Sequence, residues 1–121
     1  MQRMEWEAPA IVLDSRPLGE GGAVITVLTA DHGRHAGLAR GGASRLQAPM
    51  WQPGNLVEAC WKARLSDQLG TLSGELVHAS AALAMEDRLA LALLSSACAV
   101  AAEALPERVP HPRLFRALVP V

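Results

Sequence analysis

Glycine, proline and β-branched residues punctuate this chain up to about residue 80, and then the texture changes. From Ala81 the run AALAMEDRLALALLSSACAVAAEAL contains neither glycine nor proline, and it ends before Pro106. Short apolar runs between glycine turns suit strands, whereas an uninterrupted run of Ala and Leu suits a helix. The sequence therefore predicts two parts: a mainly β domain over 1–80 and a helical part over 81–121.

Within the first part, APAIVLDSRPL reads as a strand ended by Pro17. GEGGAVITVLTA is a glycine-rich turn leading into a β-branched strand. Asp31 and His32 before Gly33 have the chemistry of a short hairpin loop, with HAGLAR as the returning strand. GGASRLQAPMWQPGN reads as a loop closed by the Pro53-Gly54 turn, its Gly-Gly-Ala-Ser portion mobile. In LVEACWKARL, Val57, Ala59, Trp61 and Ala63 share one face, while Glu58, Cys60, Lys62 and Arg64 share the other. GTLSGELVHAS is a fifth strand, with Leu72 and Leu76 of one parity. Five short strands with turn signals between them predict a small five-stranded antiparallel barrel.

The run from Ala81 predicts one long helix, with Glu86 and Asp87 near its start, where the helix dipole favours them. Nearly every face is apolar, so burial on several sides is expected. HPRLFRAL reads as the start of a second helix. Charged residues make up 19%, below the usual ~25% for soluble proteins, so part of the surface is expected to be covered. Cys60 and Cys98 have no metal spacing and read as small buried residues of a cytosolic protein. The N-terminal MQRMEWEAPAIV lacks the apolar stretch of a signal peptide. The longest uncharged apolar run, between Arg88 and Glu103, is too short to span a bilayer. A soluble, intracellular protein without membrane contact is expected.

A net charge of −1 excludes nucleic-acid affinity through bulk charge, so any anion site must be local. One such locality exists. After Asp31 no carboxylate occurs until Glu58, and HGRHAGLARGGASR falls in that gap. Strand alternation over 34–40 puts Arg34 and Arg40 on one side, with Arg45 nearby on the loop. Arginines of this kind either solvate a hairpin or pair with phosphates and stack on bases. On the residues alone, both readings stand.

Chemistry of other kinds finds no support. LGEGGAV lacks a third glycine and leads into a strand instead of a helix, so it is no dinucleotide site. His32, His35, His78 and His111 do not cluster with ligands at metal spacing, and His78 with Ser80 lacks a nucleophile elbow. No enzyme, metal or cofactor is expected.

The order of IVLDSRPLGEGGAVITVLTADHGRHAGLARGGA, then LQAPMWQPGNLVEACW, then LSGELVHAS leading into the helix, resembles the N-terminal part of the RecO family of bacterial recombination mediators. The resemblance runs from about Trp6 to Phe115. It implies a five-stranded OB-fold barrel followed by a helical domain. It also implies binding and annealing of single- and double-stranded DNA, contact with RecR and the single-stranded-DNA-binding protein, help in loading a recombinase, and a nucleoid-associated cytoplasmic location. Family members are about twice as long, with most of the helical domain, and often a zinc module, beyond this chain's last residue. The chain is therefore expected to be an N-terminal portion. The contact with the single-strand-binding protein is expected in the absent half.

An OB barrel binds strands across its second and third strands and adjacent loops. The candidate DNA-binding residues are accordingly Arg34, Arg40 and Arg45, with Lys62 and Arg64 extending the groove and Trp51 as the aromatic closest to the basic island. Trp61 reads as core and Trp6 as a packing residue, while Arg16 is a candidate partner of Glu20. With so few aromatics, backbone recognition is expected over sequence readout. The rival reading is a protein-interaction module that docks RecR or another repair partner with negligible DNA binding. A third is an inactive chain that self-associates through its uncovered helix.

Overall fold

The computed structural model describes residues 3–64, 69–79 and 88–118. Five strands, β1 (Arg3–Leu18), β2 (Gly22–Thr29), β3 (Gly33–Ala39), β4 (Leu56–Arg64) and β5 (Gly70–His78), precede two helices. These are α1 (Arg88–Ala104) and α2 (Pro112–Leu118). No helix among the described residues is long and apolar enough to cross a membrane.

The strands hydrogen-bond in the order β1-β2-β3-β5-β4, and β4 returns to β1 to close the ring. The expectation of an all-antiparallel sheet fails at one seam, because β3 and β5 run parallel through Gly37↔Gly70 and Leu38↔Thr71. The reason is topological: strands that alternate in direction cannot close a ring of five, since an odd ring forces one parallel pair. That seam also has to admit Trp61. A Cβ on Gly70 would lie 2.4 Å from the indole, and one on Gly37 would lie 2.8 Å from Leu72 Cβ. Glycine on both sides of the seam leaves the space that the indole fills, and Trp61 Nε1 donates to the Ala36 carbonyl at 3.1 Å.

β1 begins earlier than expected and runs through Pro17 to Leu18. Its first half pairs with β4 and its second half with β2, and only Ile11 has partners in both. Pro9 and Pro17 thus lie where the strand has a single neighbour, and there a missing N–H is tolerated. Four successive buried residues, Ala10 to Leu13, mark the place where β1 lies between two cores. Ala10 and Val12 point into the barrel with Ile25, Val27, Val57, Ala59, Trp61 and Leu72. Ile11 and Leu13 point outward with Leu28, against Cys98 and Ala101 of α1 and Leu114 and Phe115 of α2. A register shift between Val12 and Asp14 bends the strand at this junction.

The loop between β3 and β4 is not the mobile segment that its composition suggests. Ala43 N donates to Gly21 O at 3.1 Å, and Ala48 N to Ser44 O at 2.8 Å. Asn55 is buried, and its Nδ2 donates to Pro49 O at 3.0 Å and Met50 O at 3.2 Å. These bonds satisfy the loop's own backbone and fix it on the barrel.

The helix predicted from Ala81 is described from Arg88, and Glu86 and Asp87 lie outside the described residues. Among the described residues of α1, burial on several sides does not hold. Leu94, Cys98, Ala101 and Leu105, at helical spacing, face the barrel. Leu89, Leu93 and Val100 stay 63–68% exposed on the other side. Cys98 is fully buried, and burial pushes its thiol up to about 11. Cys60, expected to be buried as well, is half-buried on the outer face of β4.

Candidate functional site

β3 sets the geometry of the candidate site. Gly33, His35, Gly37 and Ala39 point into the barrel, so Arg34, Ala36, Leu38 and Arg40 share its outer side, as the alternation predicts. The two arginines are six positions apart, ~20 Å along an extended strand, and they enter different surroundings.

Arg40 is exposed at the end of β3 and lines a cleft of about 430 Å³ with Gln47, Met50, Thr71, Ser73 and Gly74. Three elements build this cleft. The loop supplies Gln47, whose Nε2 donates to the Arg40 carbonyl at 3.2 Å and so fixes the arginine's backbone. β5 supplies Thr71 and Ser73, whose side chains point outward because Gly70 and Leu72 take the inward positions. Arg45 is exposed on the same loop, two residues before Gln47. Lys62 is the register partner of Thr71, exposed on β4, with Glu5 Oε1 4.0 Å from its ammonium. Such an exposed pair is weak and leaves the ammonium available to another anion. Arg64 is exposed two residues further along the same face.

Arg34 does not join this group. Its side chain is 19% exposed, with Glu107 Oε1 3.9 Å from Nη2. Nη1 donates to the Ala102 carbonyl in α1. The guanidinium therefore joins the barrel to the helical segment, which removes it from an open groove. Trp51 also departs from expectation: it is 1% exposed, packed in the barrel core under its own loop, with Nε1 donating to Gln47 Oε1 at 3.4 Å. A ring so covered offers no face for a base to stack on. Trp61 is buried in the core as expected, and Trp6 packs partly against it. Arg16 pairs with Asp14 at 2.9 Å, not with Glu20.

The sign of the surface changes along β4 and β5, from Lys62 opposite Thr71 to Glu58 opposite Glu75. Glu7, Glu58 and Glu75, on β1, β4 and β5, line a neighbouring cleft of about 290 Å³ that shares Ser73 and Gly74 with the Arg40 cleft. Three carboxylates there repel an anion, so the electrostatically open side of the Arg40 cleft is the one towards the loop and Lys62. Among the described residues no group of His, Cys, Asp and Glu could hold a metal ion.

Reading the sequence missed Gln47, Thr71 and Ser73. The outward parity of Thr71 and Ser73 is visible in GTLSGEL, but their position beside Arg40 depends on the β3–β5 seam, a pairing over some thirty residues that no local pattern encodes.

The comparisons agree on the family. The family model described as Recombination protein O N terminal matches residues 1–80. Among curated relatives, DNA repair protein RecO of Gluconacetobacter diazotrophicus is 61% identical over 115 residues, covering 95% of this chain and 45% of the relative. DNA repair protein RecO of Granulibacter bethesdensis is 55% identical over 112 residues, 93% of this chain and 45% of the relative. That of Acidiphilium cryptum is 59% identical over 112 residues, again 93% and 45%. The chain thus spans less than half the length of these relatives. With its first 80 residues matched by the family model and nearly all of its length matched by these proteins, the chain belongs to the recombination protein O N-terminal family.

Proposed function

We propose that this chain is the DNA-contacting, non-enzymatic part of a recombination mediator of the RecFOR type. In this reading residues 1–80 form an OB-fold and residues 81–121 begin a helical domain. What supports the OB reading is the closed order β1-β2-β3-β5-β4 with its one parallel seam. The observation that carries the functional reading is the Arg40 cleft, in which an exposed guanidinium, a loop amide and two outward hydroxyls meet, with Arg45 exposed on the same loop and Lys62 opposite Thr71 in register. Such a set recognises a phosphate backbone: the cations supply charge, while Thr71, Ser73 and Gln47 supply hydrogen bonds that position without reading sequence. Arg40, Arg45, Lys62 and Arg64 are the proposed contacts. Strands captured there can be brought together to anneal, and release to a recombinase completes the mediator's role. The relatives' printed name, DNA repair protein, supports the same reading.

RecR and the single-strand-binding protein remain proposed partners, the latter through segments beyond this chain. The exposed Leu89, Leu93 and Val100 of α1 favour the second reading, a protein-docking role for the helical part.

Fluorescence anisotropy with a labelled oligonucleotide at two salt concentrations tests the proposal. About three to five phosphate contacts predict a log K against log salt slope of roughly −2 to −3.5 for a single strand. Arg40→Ala with Arg45→Ala together should flatten that slope and abolish most of the binding. Affinity indifferent to salt and to both substitutions would leave the docking reading in its place.

A further inference from the structure

At the other end of β3 lies a cleft of about 470 Å³ that the DNA reading does not use. Trp6 and Trp61 face each other in register from β1 and β4, with ring centres 6.1 Å apart. His32 stacks on Trp6 at 4.8 Å, and His35 sets its edge against both indoles at 5.1 and 4.7 Å. Glu5 and Asp31 stand on the rim. Over the Trp61 ring, 5.1 Å from its centre, lies the guanidinium of Arg108.

Arg108 reaches this place through a short strap after α1. Among the described residues β3 pairs with β5 only at Gly37 and Leu38, and the Ala36 carbonyl accepts from Trp61, so the edge of Gly33–His35 has no partner in β5. Residues 107–109 fill it. Glu107 bridges Arg34 in the parallel sense, and Arg108 N donates to Arg34 O at 2.8 Å. Gly33 is so close to the strap that a Cβ on it would lie 2.2 Å from the Val109 carbonyl oxygen. Arg108 is the one non-glycine with positive φ among the described residues, at 61°. A bulky residue in that region is strained, and the indole face beneath the guanidinium offsets the strain.

We propose that this end of the barrel is a docking site for an extended, arginine-bearing segment of a partner protein, occupied here in cis by Glu107-Arg108-Val109. The open edge takes the backbone by strand addition, and the aromatic face takes the guanidinium. Glu5 and Asp31 select a cation and repel a nucleic acid. The site is not saturated by its own strap. Among the described residues Trp6 Nε1 and His35 Nδ1 are buried without a hydrogen-bond partner, and His35 itself is only 6% exposed. A partner segment can answer them with its own carbonyl and amide groups. Exchange is feasible because the strap is short, exposed at Glu107 and Val109, and holds Arg108 at positive φ, where an incoming arginine in extended backbone has no such cost.

A fluorescein-labelled peptide, acetyl-Pro-Glu-Arg-Val-Pro-amide, titrated into the whole chain tests this. Arg108→Gly keeps the backbone at ease at positive φ while removing the cis guanidinium, so it should bind the peptide about ten-fold more tightly than the wild type. Replacing the peptide's arginine by norleucine should weaken binding by about ten-fold. In the unaltered protein, millimolar peptide should raise deuterium uptake at residues 106–110 as the strap is displaced. Three results would each overturn the proposal: equal affinity of folded Arg108→Gly and wild type, indifference to norleucine, or unchanged uptake in the wild type. Displacement of the strap by an oligonucleotide in place of the peptide would do the same.

Discussion

Arg34 and Arg40 belong to one strand face and yet have different work. Arg34 gives a charge-assisted hydrogen bond to a carbonyl of α1, and such bonds contribute ~1.5–3 kcal/mol. Arg34→Ala should therefore lower the urea midpoint by a ΔΔG of that order while leaving oligonucleotide affinity within about two-fold of wild type. Arg40→Ala should do the reverse. Paired unfolding and anisotropy titrations read both effects, and a large loss of DNA binding with Arg34→Ala would contradict the division. Strand parity made the shared face legible in the sequence, but parity cannot say what lies over a face. Arg34 is engaged because α1 returns over its end of the strand, and that return is a tertiary fact. The same limit explains Trp51, which sits in a loop by sequence but is drawn into the barrel by its bulk.

His35 carries a pH dependence. Burial first, then the charge of Arg108 and of His32, hold it down to about 4 from 6.5, against a smaller opposite pull from the Gly33 carbonyl. The unfolded chain thus binds the proton more readily between those values, so stability rises with pH across that window and is lost as pH falls toward 4. A shift of this size corresponds to about 3 kcal/mol. Urea midpoints at pH 7 and pH 5 should differ in the wild type, and the difference should shrink in His35→Gln.

Elements fared better than their junctions. The inward set Val57, Ala59, Trp61 and Ala63 follows directly from alternation in LVEACWKARL, and the turn at Asp31-His32-Gly33 follows from its residues. The β1 run of four buried residues reads as a plain apolar strand, and only the helices behind it explain why both faces are covered. The parallel seam was within reach of counting alone, since five strands closed on themselves must include one. Its demand for glycine is testable. Gly70→Ala places a methyl against the Trp61 indole and should cost ~1–3 kcal/mol, the range for overpacking, with near-ultraviolet circular dichroism reporting the displaced indole. An unchanged melt and spectrum would mean that the seam is looser than described.

Across the whole molecule the decisive property is the division of charge on a chain whose net charge is only −1. Arg40 lines one cleft, with Arg45 on its loop and Lys62 opposite Thr71, while Glu7, Glu58 and Glu75 line the neighbouring one. Reversing part of the second group should widen the proposed phosphate path. Glu58→Lys with Glu75→Lys is expected to raise oligonucleotide affinity several-fold and to steepen its salt dependence. The division was half visible in the sequence, as a stretch from His32 to Lys62 with Glu58 its one carboxylate. Which carboxylates border it was not, because Glu7, Glu58 and Glu75 meet only through barrel closure.

Amide chemical-shift mapping with a short oligonucleotide, on a chain of 12.8 kDa, tests most directly the proposal that DNA lies on the Arg40 cleft. Shifts should concentrate at residues 40–47 and 70–74 and fade as salt is raised. Shifts centred on Glu7, Glu58 and Glu75, or on the exposed side of α1, with residues 40–47 and 70–74 unmoved, would contradict it.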